Sequence, residues 1–227
     1  MQQTGPGLGA MLRRRGRQYM ADAHYRAVVS LCTSLAVSMV FALYKLVTAV
    51  LYSSFWFGAL AVYYMVLCSL RGFLLRHLRQ GDYSRRQALW AYRSCGIFLL
   101  LLNVALGGVA YQMVFSGIGY IYPGSMIYAA AAYAFYCLTL AIVNMVKHPR
   151  LASPLLAAAK SVNLATALLS IFTLQTAMLS TFGAELNPAL IRTMNAATGG
   201  TVCLAVLLIG IRMAVRGTRC LKTHQIK

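Results

Sequence analysis

Apolar residues gather along the chain into six long runs, separated by short polar or basic stretches. A helix rises ~1.5 Å per residue, so a run of ~20 residues crosses the ~30 Å hydrocarbon core of a bilayer. The runs predict spans over about 26–50, 55–75, 94–115, 125–146, 160–182 and 188–216. The expected fold is all-α: a polytopic bundle of six transmembrane helices, preceded by a basic segment at 1–25 and trailed by a tail at 217–227. The punctuation agrees. Gly81-Asp82 and Pro123-Gly124 mark turns, Pro149 stops the fourth helix, and Asn187-Pro188 reads as an N-cap with proline next to it at the first helical position. Residues 77–93 read as a polar loop. A sixth helix reaching Arg216 would be ~43 Å long, and Gly199-Gly200 is where it is expected to bend.

Charge then orients the bundle. Of 21 Lys and Arg residues, 19 fall at alternate ends of the runs. They are Arg13, Arg14, Arg15, Arg17 and Arg26; Arg71, Arg76, Arg79, Arg85, Arg86 and Arg93; Lys147, Arg150 and Lys160; and Arg212, Arg216, Arg219, Lys222 and Lys227. Loops on the cytoplasmic side of a membrane hold such an excess, so both termini are expected to be cytoplasmic. Tyr52, Trp56, Tyr120 and Tyr122 fit an aromatic belt at the opposite interface.

Composition supports this picture. The chain is 60% hydrophobic and only 11% charged, too little charge for the surface of a soluble domain. Its acidic residues are Asp22, Asp82 and Glu185 alone, which leaves a net charge of +18. The basic residues sit beside spans and carry no nucleic-acid-binding motif, so the expected partner is a bilayer with anionic headgroups and not nucleic acid. A membrane-protein partner or a second copy of the chain also fits an apolar bundle. The six cysteines show neither metal spacing nor pairing. The cluster Arg13–Arg17 reads as a retained anchor, because Asp22, His24 and Arg26 stand between it and the first apolar run.

Chemistry in the membrane needs ionisable groups there. No Asp, Glu or His falls within any run, and no phosphate loop, HExxH or GxSxG occurs. Neither an enzyme nor a cofactor nor a metal site is expected, and cation-coupled transport lacks its usual midplane carboxylate. Two polar stripes are left. In the fifth run Asn163, Thr166, Ser170 and Thr173 share one helical face, and in the first run Ser30, Ser34 and Ser38 lead toward Lys45. They would line a polar pathway, or pack helices closely through small and hydroxyl residues. Lys45, Arg192 and Glu185 are the ionisable residues on the other side. Together they would form a candidate outer site for an anion or solute.

The segments at 122–147 (YPGSMIYAAAAYAFYCLTLAIVNMVK) and 174–183 (LQTAMLSTFG) resemble an uncharacterised family of small six-helix integral membrane proteins from anaerobic Gram-positive bacteria. The resemblance implies a bacterial plasma membrane and a similar helix count, and it implies no activity. Two functions fit the sequence. One is transport-related handling of a small neutral or anionic solute. The other is a non-transporting accessory or scaffold subunit that binds lipid or a partner protein.

Overall fold

The computed structural model describes residues 23–52, 55–79, 84–116, 124–147, 153–183 and 186–225. The basic residues before 23 and the turn and belt residues Gly81, Asp82, Tyr120, Tyr122, Pro123 and Pro149 lie outside the described residues. The rest form α1 (Ala23–Leu51), α2 (Phe55–Arg79), α3 (Arg85–Ser116), α4 (Gly124–Lys147), α5 (Pro154–Phe182) and α6 (Pro188–Gln225). Each is long and apolar enough to cross a membrane. Large apolar side chains such as Val40, Val50, Val104 and Leu204 lie exposed on the outer faces. Faces of that kind suit hydrocarbon and not water.

Several helices outrun the apolar runs that announced them. The expected loop at 77–93 is mostly helix, because α2 continues to Arg79 and α3 begins at Arg85. Ser84 and Gln87 make this possible. The Gln87 side chain accepts from the Ser84 backbone N–H at 3.1 Å, and Ser84 Oγ accepts from the Arg86 N–H at 3.2 Å. This reciprocal cap satisfies amides that would otherwise be orphaned. Likewise α5 starts at Pro154, behind an extended Ser153, and α6 continues to Gln225. Asn187 Oδ1 accepts from Ala189 N–H at 3.0 Å and starts α6. That helix runs unbroken through Gly199-Gly200.

The helices pack mainly as α1 with α2, α3 with α6, and α4 with α5, and α5 also touches α2, α3 and α6. Most faces of α5 are therefore covered, its polar stripe included. The α3–α6 seam is close because glycine lines it. A Cβ on Gly96 would stand 2.8 Å from Met213 Cβ and 2.9 Å from the Ala214 backbone nitrogen, and one on Gly210 would stand 2.8 Å from Leu100 Cδ2. Gly199 makes room for the Phe172 ring, whose Cε2 would lie 3.1 Å from an added Cβ. Small residues bring membrane helices together in this way, since lipid supplies no hydrophobic drive between them.

A buried cation cluster as the candidate functional site

On α1, Ser34, Ser38, Phe41, Lys45 and Thr48 recur at spacings of three and four and are all buried. Such spacing places them on one face. The facing stripe of α2 is Phe57, Leu60, Tyr64, Leu67 and Arg71, with the same spacing and equally buried. Running antiparallel, the two stripes set Lys45 beside Phe57, Phe41 beside Tyr64, and Arg71 beside Ser34 and Ser38. Each stripe therefore carries one cation into the bundle.

Arg71 belonged by sequence to the basic flank of α2. The structure corrects this assignment. Its side chain is 1% exposed, and its Nη1 donates to the Ser34 carbonyl at 3.1 Å and to Ser38 Oγ. Ser38 lies near the middle of the apolar stretch Val28–Leu51, so the guanidinium sits deep in the bundle and not at its rim. Tyr133 of α4 donates its hydroxyl to the same Ser38 Oγ at 3.1 Å. Tyr136 and Cys137, three and four residues after Tyr133 on α4, lie near the same guanidinium. Three buried polar atoms around this point, Arg71 Nε, Ser34 Oγ and Tyr136 Oη, have no hydrogen-bond partner among the described residues.

An arginine stays protonated in a protein, so a charge is held here at the cost of its desolvation. No carboxylate in a span offsets it. Asp22, Asp82 and Glu185 all fall outside α1–α6.

An aromatic layer separates the two cations. Phe41 stacks on Tyr133 with centroids 3.8 Å apart and planes 5° apart, and Tyr64 meets both rings edge-on. On the far side of this layer Lys45, also 1% exposed, holds Nζ 5.5 Å from the ring centres of Phe41 and Phe57. Desolvated cation–π contacts of this kind are worth about 2 kcal/mol. Seven residues separate Ser38 from Lys45, ~10 Å along the helix.

The residues singled out from sequence fall into different surroundings. Lys45 is buried and Arg192 is exposed on α6, which packs on α3 and α5; Glu185 lies outside the described residues. Ser30 is half-buried, while Ser34, Ser38, Asn163, Thr166, Ser170 and Thr173 are buried. Each polar stripe is met by a tyrosine of a neighbouring helix. Tyr64 Oη lies 3.3 Å from Thr173 Oγ1, and Tyr133 reaches Ser38. Within α5, Thr166 donates to the Val162 carbonyl at 2.8 Å, Ser170 to Thr166 at 2.7 Å and Thr173 to Ser170 at 3.0 Å. Those hydroxyls are satisfied by their own helix.

Arg71 was legible in one respect. It lies inside the second apolar run, 55–75, yet its neighbours Arg76 and Arg79 drew it into the flanking cluster. Tyr64 carried no signal that would single it out among 14 tyrosines, and Tyr133 only its place in the tyrosine-rich fourth run. Among the described residues no three His, Cys, Asp or Glu side chains converge as a metal site would need. No protein-family model, curated protein or solved structure matches the chain.

Proposed function

We propose that this membrane protein binds a small anion at Arg71 and passes it across the bilayer. The observation that carries the reading is a buried guanidinium with no carboxylate in any span, beside three polar atoms without hydrogen-bond partners among the described residues. An anion would accept from Arg71 Nε and from the Ser34 and Tyr136 hydroxyls, through charge-assisted bonds that a low dielectric strengthens. Lys45, on the facing stripe of α1, provides a second positive position. On this reading the stacked Phe41 and Tyr133 rings block the way between the two cations. Passage requires these rings to part, and the unstacking sets a gate.

The basic flanks support a threading with both termini in the cytoplasm, and the family resemblance supports a bacterial plasma membrane. With no acid–base pair in the spans, the chain is read as a carrier or channel component and not as an enzyme. One observation favours the accessory reading: the α5 hydroxyls bond their own carbonyls, as in a dry packing seam.

Flux through proteoliposomes separates the two. Wild type should accelerate release of at least one anion from a panel of chloride, nitrate, acetate, lactate and phosphate, and Arg71→Gln should reduce that rate at least about tenfold, the loss expected when one charged hydrogen bond is removed. Flux equal to that of empty liposomes across the panel would leave the scaffold reading standing.

A further inference from the structure

A second basic feature lies on other helices, where α3 begins and α6 ends. There Arg93, Arg219, Lys222 and Thr218 surround a groove of ≈340 Å³, with Ile97 and Val215 forming its apolar wall. Neither α3 nor α6 contains an Asp or Glu. The groove owes its position to the glycine seam. Gly217 sits so close to Arg93 that an added Cβ would meet Arg93 Cβ at 2.8 Å, so the stem of Arg93 is pressed into the contact between the helices. The exposed ring of Trp90 covers the Arg93 guanidinium at 5.5 Å. Tryptophan is enriched where hydrocarbon meets water.

We propose that this groove binds the phosphate of an anionic phospholipid. Two properties specify a lipid over free phosphate. First, the cations lie at the basic ends of the apolar stretches of α3 and α6, beside an exposed tryptophan, where a membrane-seated phosphate would be met. Second, the apolar wall does not end at the groove. Ile97 and Leu101 on α3, and Val215 and Ile211 on α6, are all exposed and continue along the two helices away from the cations. A lipid phosphate would meet Arg93, Arg219 and Lys222 while its acyl chains lie on those side chains. A soluble phosphate gains nothing from the apolar track. Basic pockets between membrane helices recognise anionic headgroups in this manner, each basic residue adding to the attraction.

The test is lipid binding to the purified full chain, monitored by native mass spectrometry, with phosphatidylglycerol, phosphatidylcholine and inorganic phosphate as separate probes. Phosphatidylglycerol should bind at least about tenfold tighter than phosphatidylcholine. The triple variant Arg93→Gln, Arg219→Gln, Lys222→Gln should lose that preference. A control with equal charge loss, Arg76→Gln, Arg85→Gln, Arg86→Gln, should keep it. Val215→Trp, which leaves every charge in place and fills the groove wall, should also weaken binding, so the outcome does not hang on the folding of the triple variant. An undiminished preference in the triple or Val215→Trp protein, or an equal loss in the control, would overturn the site. Displacement of the lipid by millimolar inorganic phosphate would overturn the assignment to a lipid.

Discussion

The chemistry of the bundle turns on a few side chains whose environments differ sharply from their neighbours'. Arg76 and Arg79 are exposed at the end of α2, and Arg71, two turns before Arg79, is buried against α1. Ser38 is the shared acceptor for Arg71 and Tyr133. Ser38→Ala would strand a charged donor and should lower stability by about 1–3 kcal/mol. Tyr133→Phe removes one neutral hydrogen bond, keeps the stack on Phe41, and should cost about 1 kcal/mol. Phe41→Ala empties the space between Lys45 and Tyr133 and should cost about 3–5 kcal/mol. Thermal unfolding in one detergent should therefore rank Phe41→Ala as least stable and Tyr133→Phe as closest to wild type. A Tyr133→Phe protein less stable than Phe41→Ala would contradict the stacked arrangement. At this scale the sequence was only partly informative. Ser34, Ser38 and Lys45 stood out because polar residues are rare in apolar runs, whereas Phe41, Tyr64 and Tyr133 resemble every other core aromatic until the helices are placed.

Elements end and meet where local chemistry dictates. The Ser84–Gln87 cap starts α3 in what hydropathy alone describes as loop, because a hydropathy run registers the membrane and not the helix. Arginine and glutamine are good helix formers, so α3 extends through its basic first turns at little cost. Ser84→Ala should destabilise that first turn by about 1 kcal/mol. Hydrogen exchange would register this as faster exchange in residues 85–88, with residues 95–105 unchanged. The α3–α6 seam depends on Gly96 and Gly210, and larger side chains must drive the helices apart. Gly96→Leu should destabilise by several times the ~1 kcal/mol typical of a point substitution, since its Cβ already meets backbone at 2.9 Å. Gly200→Ala, at a position with nothing within 4 Å of an added Cβ, is the matched control and should be neutral or slightly stabilising. The pairing of α3 with α6 was not legible, because apolar helices present many equivalent small-residue spacings and only three-dimensional contact selects among them.

The whole molecule joins six membrane-length helices to a core set by their packing. Six apolar runs foretold six helices, since the length of a crossing is fixed by bilayer thickness and an apolar run that long has no other stable use. What charge counting missed is that a cation beside a cluster does not always belong to it. The threading can be checked with native Cys220, which is exposed on α6, and an introduced cysteine at exposed Tyr52. In sealed cells a membrane-impermeant maleimide should label Tyr52→Cys and spare Cys220; the reverse pattern would invert the topology. Above all, Arg71 is proposed to bind an anion and not merely to weld α1, α2 and α4. The direct measurement is the unfolding temperature of detergent-purified protein across a titration of each anion in the flux panel. A ligand at 100 times its Kd stabilises the folded state by about 2.7 kcal/mol. Wild type should show a saturable rise with at least one anion, and Arg71→Gln should show none. A rise of equal size in both proteins, or no rise with any anion, would contradict anion binding at Arg71.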